Sequence, residues 1–417
     1  MIAIFDIGKT NKKCFVFDEA YRIVYEKSEQ LSETTDEDGY PCENLPLLIQ
    51  WVEQTLIELL QNNCLQIKAI NASAYGASWV HLDEAGQTVG GLLNYLKPYG
   101  ELPNFPSLET ASPVMGNLNS GLQLYQLKKY NQLVFNTIKY SLHLPQFIAW
   151  LILNTIMGRK KPALELCTSE ITSIGCHTML WDFQKNEYHA WVKRDGLDAK
   201  FPRIFPTDFY WKSVYANAAI EVGIGIHDSS AALVPYLQSI QEPFLLISTG
   251  TWCISLNPFN QEPLTADELA NDCLQYLSYK GVPVKAARYF GGHEHGEVIA
   301  KLADKYRVPQ EYFMQDLREA TSSAALEYRD LMRELVGKQV ISVKWALGKS
   351  NVRKIFVDGG FSKNAVYLQL LAESFPEMEI FSAEMAQATA LGAALVLHSA
   401  WNNQPLPQDL LSFQRFQ

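Results

Sequence analysis

Ile2-Ala3-Ile4-Phe5-Asp6-Ile7-Gly8-Lys9-Thr10-Asn11-Lys12 opens the chain as an apolar run entering a turn of small residues, and Cys14 to Phe17 leaves that turn as a second apolar run. The pattern predicts a hairpin. It recurs at Phe244-Leu245-Leu246-Ile247-Ser248-Thr249-Gly250-Thr251-Trp252, which is followed by the run Cys253 to Leu256. A third glycine-centred turn, Asp358-Gly359-Gly360-Phe361-Ser362-Lys363-Asn364, follows the strand-like run Lys354 to Val357. Glycines and small hydroxyl residues at such turns let backbone N–H groups come close to an anionic phosphate, and Thr10, Thr249 and Thr251 add donors. The three turns describe a split nucleotide site.

At 417 residues the chain exceeds the size at which one core usually stops growing, so two domains are expected. The formal net charge of −10 argues against nucleic acid or an anionic membrane as partner. It does not exclude ATP, which local backbone donors, lysines and a metal ion can hold. The seven cysteines are scattered without metal-ligand spacing, and reduced, mostly buried thiols are expected, as in a cytoplasmic protein. No basic region precedes the first apolar run, so no secretory signal is read there. Phe147 to Met157 is too short to span a bilayer and reads as a buried helix.

The organisation is α/β. Leu45 to Leu60 has helical spacing, Ile67 to Ser73 reads as a strand, and Val80 to Val89 reads as a further hairpin around Asp83-Glu84-Ala85-Gly86. Lys97 to Gly121, rich in proline and glycine, reads as a long loop region, with helices at Leu122 to Tyr130 and Leu144 to Met157. Val222 to Ile226 reads as a strand ending in His227-Asp228, and Ser229 begins a helix. One helical region is expected from about Gly296 to Leu335. The repeated hairpin suggests an internal duplication.

In this order the motifs resemble those of the FGGY carbohydrate kinases. They are Asp6 to Asn11, Tyr75-Gly76 to Gly86, Ile226-His227-Asp228-Ser229-Ser230-Ala231-Ala232-Leu233, Ser248 to Trp252, and Asp358 to Asn364 with Ala388-Thr389-Ala390-Leu391-Gly392-Ala393-Ala394. The His-Asp pair and the Thr-Gly-Thr-Trp turn look most like the rhamnulokinase and L-fuculokinase branch, which acts on deoxy-ketoses. The resemblance implies a two-lobed actin/hexokinase-like (ribonuclease H-like) fold with ATP in the interlobe cleft. It implies lobes of about 1–222 and 223–417, and transfer of the γ-phosphoryl group to a hydroxyl of a small sugar. A homodimer is left open.

Phosphoryl transfer needs in-line positioning, neutralised phosphate charge and a carboxylate near the attacking hydroxyl. Asp228, at a strand-to-helix junction where open sheets place ligands, is the expected general base; its structural alternative is a helix N-cap. Asp6 is the expected Mg²⁺ carboxylate. Gly8, Lys9, Thr10, Asn11 and Lys12, then Thr249, Gly250 and Thr251, are expected at the phosphates, with Lys9 and Lys12 lending charge. Gly359, Gly360 and Asn364 are expected at the adenosine.

For the sugar, Gly76, Ser78, Trp79, Tyr95, Lys97 and His227 are the candidates, with core packing the alternative for Trp79 and Tyr95. The rhamnulokinase-like pattern has an Asp where this chain has Ser78. That loss points to a different hydroxyl pattern in the substrate, a polyol or aldose acceptor, or a catalytically silent sugar-responsive protein. His293 and His295, two apart around Glu294, lack the four-residue spacing of a zinc helix and read as solvated residues of a loop entering a helix.

Overall fold

The computed structural model describes residues 1–76, 78–100, 104–159, 161–385 and 387–416. The chain folds as two compact units: Met1–Leu237 with Tyr276–Val282 and Gln387–Leu410, and Gln238–Gln275 with Pro283–Ala386 and Leu411–Gln417. The first unit thus runs past residue 222 to take in Asp228 and its helix. Among the described residues, no helix is long and apolar enough to cross a membrane.

In the first unit, strands β1 (Ile2–Ile7), β2 (Lys12–Phe17) and β3 (Ile23–Glu29) form an antiparallel meander. The amphipathic helix α1 (Leu45–Gln61) begins at the cap Asn44, whose side chain accepts from Leu47 N–H, and buries Leu48, Val52 and Leu56. It is followed by β4 (Ala69–Ala74), parallel to β1. The Val80 to Val89 hairpin forms as expected, between β5 (Trp79–Leu82) and β6 (Thr88–Val89). Helix α2 (Ser120–Tyr130) starts inside the expected loop region, and α3 (Leu144–Met157) is almost wholly buried, which explains its unbroken apolar run.

Strands β7 (Tyr210–Tyr215) and β8 (Ala218–Gly223) complete the order β7-β8-β4-β1-β2-β3. The expected single strand into His227-Asp228 is broken: β8 stops at Gly223, and the short strand β9 (Ile226–His227) re-pairs with β4. Gly225 makes the break at φ +83°, and a Cβ there would lie 2.3 Å from Pro145 O. Helix α4 (Asp228–Ser239) follows at once.

In the second unit, β10 (Phe244–Thr249) and β11 (Cys253–Asn257) form the second hairpin. Strand β12 (Pro283–Tyr289) leads into α5 (Gly291–Tyr306). The expected helical region is therefore two helices, α5 and α6 (Ser323–Leu347), separated by Pro309 and a 3₁₀ turn at Gln310–Met314. Then come β13 (Lys354–Gly359), α7 (Ala365–Ser374), β14 (Glu379–Glu384) and β15 (Ser412–Arg415).

In the second sheet the strand Cys273–Leu277 flanks β12, and the order β12-β11-β10-β13-β14-β15 then has pairings that are antiparallel, antiparallel, parallel, parallel and antiparallel. From β3 through to β7 the first sheet runs through the same five relations. The two sheets share this run of strand directions, in keeping with an internal duplication, but differ in connection: β4 pairs with β8, the later strand of its hairpin, whereas β13 pairs with β14, the earlier.

Candidate active site

Asp6 lies near the carboxyl end of β1, opposite Lys13 on β2 and beside Ser73 on β4. Ser73 is also in register with Ile226, so Asp228, two residues on, emerges at the same end of the sheet as Asp6. This is the edge where parallel strands present ligand-binding groups. Burial pushes the Asp6 carboxyl up to about 7, the charge of Asp228 raising it further and Lys13 opposing. Burial likewise pushes Asp228 up to about 6, against hydrogen bonds from Ser229. Two carboxyls raised toward neutrality at one sheet edge suit proton transfer and cation binding.

The bonds Asp228 accepts come from its neighbour, Ser229 N at 2.6 Å and Ser229 Oγ at 3.3 Å. An N-cap carboxylate would instead accept from N–H groups two or three residues on. Its side chain keeps 35 % of its surface exposed, so one oxygen is within reach of a small ligand. His227 is buried, and burial lowers its imidazole to about 4, leaving it neutral at physiological pH. Its Nε2 stands 3.2 Å from Asp228 Oδ1. Its backbone N–H donates to Thr172 Oγ1, which donates to the buried carboxylate of Glu170. Gly76 packs on the His227 ring.

Several expected site residues have other partners. Lys12, expected to lend charge to a phosphate, is 1 % exposed and forms a 2.8 Å ion pair with Glu43, itself 3 % exposed. Its Nζ also donates to Lys9 O, and Tyr75 OH donates to Glu43, so Lys12 supports the first turn from inside. Lys9 pairs with Glu33 at 2.8 Å. Gly8 and Asn11 close the turn through Gly8 N–H to Asn11 O, leaving Thr10 exposed.

Ser78 is fully buried and donates to Leu93 O. Trp79 donates to Ser120 O and stacks on His143 and Phe201, the core-packing alternative. Ala77 between Gly76 and Ser78 lies outside the described residues. Tyr95 packs edge-on against Tyr75 and feels the charge of Asp228. Lys97 bridges Asp36 and Asp38 at 2.5 Å each and borders a cavity of about 670 Å³, which Glu43, Asn117 and Gln123 also line. The fold therefore gathers Asp6, Gly76, Tyr95, His227 and Asp228, and sets Ser78, Trp79 and Lys97 apart from them.

In the second unit, Thr249 and Thr251 divide their roles. Thr249 is buried, donates from Oγ1 to Asp358 O at 2.5 Å and accepts from Phe361 N–H, so it ties β10 to the third turn. Gly250 and Thr251 are exposed, and a Cβ on Gly250 meets nothing nearer than Trp252 O at 3.9 Å. Gly359 takes φ +88°, and a Cβ there would lie 2.1 Å from Thr249 O. Asn364 caps α7, accepting from Tyr367 N–H and donating to Tyr328 OH. Its amide thus serves the fold at both ends.

Sequence reasoning missed Lys13, Glu43 and the start of α5, where His293 N–H donates to Thr251 O. The first was accessible: across a tight hairpin, Asp6 must face Lys13. His293 is exposed, but His295 is not the solvated loop residue expected. It lies within α5 against Phe361 and Tyr328, and burial lowers it to about 4.

Residues 241–327 match the family model described as carbohydrate kinase FGGY, C-terminal domain, and residues 317–401 that of the FGGY family of carbohydrate kinases, C-terminal domain. The comparison with curated proteins returns no match. Among solved structures, a carbohydrate kinase from Novosphingobium aromaticivorans is similar at TM-score 0.75 and 20 % identity, covering 99 % of this chain and 95 % of that one. A xylulose kinase from Lactobacillus acidophilus gives 0.78 at 13 % identity over 99 % and 93 %, and a Plasmodium falciparum glycerol kinase with ADP gives 0.72 at 13 % over 96 % and 90 %. Residues 241–401 thus match models of the C-terminal domain of FGGY carbohydrate kinases, a likeness that supports a sugar kinase enzyme, on a chain with the two-domain actin/hexokinase-like fold.

Proposed function

We propose that this chain is an ATP-dependent sugar kinase in which Asp228 takes the proton from the attacking hydroxyl. The observation that carries the reading is the pairing of Asp228 with Asp6 at one sheet edge, both carboxyls raised toward neutrality by burial. His227 and Gly76 hold Asp228 in place on one side. Asp6, part-buried and opposed by Lys13, fits a site for Mg²⁺, which when bound supplies neutralisation of phosphate charge. Gly8, Thr10 and Asn11 in the first unit, and Gly250, Thr251, Gly359 and Gly360 in the second, are our candidates for phosphate and adenosine contacts. Lys9, Lys12, Thr249 and Asn364 shape those turns.

The acceptor we place among ketoses. The motif His227-Asp228 with Thr249-Gly250-Thr251-Trp252 favours a deoxy-ketohexose of the rhamnulose or fuculose kind. Ser78, where that pattern has a carboxylate, favours a pentulose, polyol or aldose. The test is ADP release with Mg²⁺ across ketoses, polyols and aldoses. Turnover with at least one sugar, absent when Mg²⁺ is chelated, is expected; ATP binding with no turnover on any of them would support a catalytically silent protein instead.

Gly250 offers a probe of the nucleotide side, because the protein leaves room for a side chain there. Gly250→Val is expected to fold normally and raise the Michaelis constant for ATP by about tenfold or more, the cost of obstructing a charge-assisted backbone contact. Thr251→Val is expected to act in the same direction and less strongly. Sugar affinity should hold in both, and unchanged ATP kinetics in both would remove this turn from the phosphates.

A further inference from the structure

Cys176 Sγ and one ring nitrogen each of His177 and His227 all lie within 4.8 Å of one another. The sequence gives little hint of this, since fifty residues separate the adjacent pair from His227 and only the tertiary fold joins them. Tetrahedral zinc, with bonds of about 2.0 to 2.3 Å, needs its donors about 3.3 to 3.7 Å apart. The cluster therefore has to close by no more than about 1.5 Å. Gly76 borders the gap: a Cβ there would stand 2.8 Å from His227 Nε2 and 3.3 Å from Cys176 Sγ. The soft thiol and two imidazoles select Zn²⁺ and its like over Mg²⁺.

We propose that Cys176, His177 and His227 form a binding site for a thiophilic divalent cation of the Zn²⁺ class, and that occupying it shuts off the reaction at Asp228. On binding, the Cys176 thiol loses its proton to solvent and Sγ bonds the cation as thiolate, with two imidazole nitrogens completing three protein ligands. Asp228 Oδ1 lies 3.2 Å from His227 Nε2, so a cation held by His227 stands close to that carboxylate. A carboxylate drawn to a cation is no longer free to accept a substrate proton. The loss of turnover rests on Asp228 being the base; the cation site does not.

The test is titration of the metal-free protein with Co²⁺. One equivalent is expected to give a thiolate-to-cobalt charge-transfer band with the visible bands of a tetrahedral site, both displaced by Zn²⁺. Cys176→Ser should abolish the charge-transfer band, and His177→Gln, at a half-buried position, should weaken binding by more than the ~10–100-fold that outer-shell partners are worth. His293→Ala, which removes the exposed His293–Glu297 pair, should leave the titration unchanged. Circular dichroism checks that each variant is folded. A missing charge-transfer band in the wild type, or its persistence in folded Cys176→Ser, overturns the site. One equivalent of Zn²⁺ should lower turnover at saturating Mg²⁺ and ATP at least about tenfold in the wild type and much less in His177→Gln; cobalt binding without that loss overturns the inhibitory role alone.

Discussion

Asp228→Asn is expected to lower turnover by at least about a hundredfold, as for loss of a positioned base, with stability and ATP affinity little changed. Asparagine matches the size of aspartate and caps a helix about as well, so a capping role predicts near-wild-type turnover and a catalytic role does not. The pH dependence sharpens the test. Burial raises Asp228 from its ordinary 3.8 to about 6 and Asp6 to about 7, so the base is protonated in acid and activity should rise as pH climbs through that window. The contribution of these groups to stability runs the other way. The folded protein holds protons that the unfolded chain has released, so their contribution is fully present below about 3.8 and lost as pH rises through about 6 to 7. An Asp228→Asn enzyme with most of its turnover would overturn the assignment.

Glu43→Ala is expected to destabilise the first unit by about 3–5 kcal/mol, the usual cost of leaving a buried charge without its partner. Lys12 and Glu43 are 1 % and 3 % exposed and 2.8 Å apart, and Tyr75 OH and Lys9 O complete the cluster, so Lys12 has no easy route to water. The urea midpoint and the amide exchange of the β1–β2 hairpin would report the loss. Replacing both partners with methionine should recover much of it, since similar volumes then fill the space without desolvated charge. A small shift in Glu43→Ala, with the hairpin still protected, would mean that Lys12 reaches solvent and that the pair does not anchor the turn.

The legible parts of this chain were those encoded locally. Apolar runs interrupted by Gly8 and Gly250 made both hairpins readable, the spacing of Leu48, Val52 and Leu56 made α1 readable, and the ordered turns pointed to the kinase fold. Asp228 stood out as a candidate because a carboxylate between a strand and a helix is visible in one dimension. The strand leading to it was misread, because the turn at Gly225 is set by the close approach of Pro145 from α3.

Side-chain partners across long separations lay beyond such reading. Lys12 and a lysine bound for phosphate look alike until Glu43 is brought against it. Thr249 and Thr251 look equivalent until the parallel pairing of β10 with β13 turns one inward and leaves the other exposed. By itself the sequence determined the hairpins, the order of the motifs and the Asp228 candidate, because each depends on backbone preference and apolar pattern within a few residues. The tertiary structure alone decided which charges are neutralised, which hydroxyls remain exposed and which cysteine meets two histidines, because those outcomes depend on burial and on contacts between distant segments.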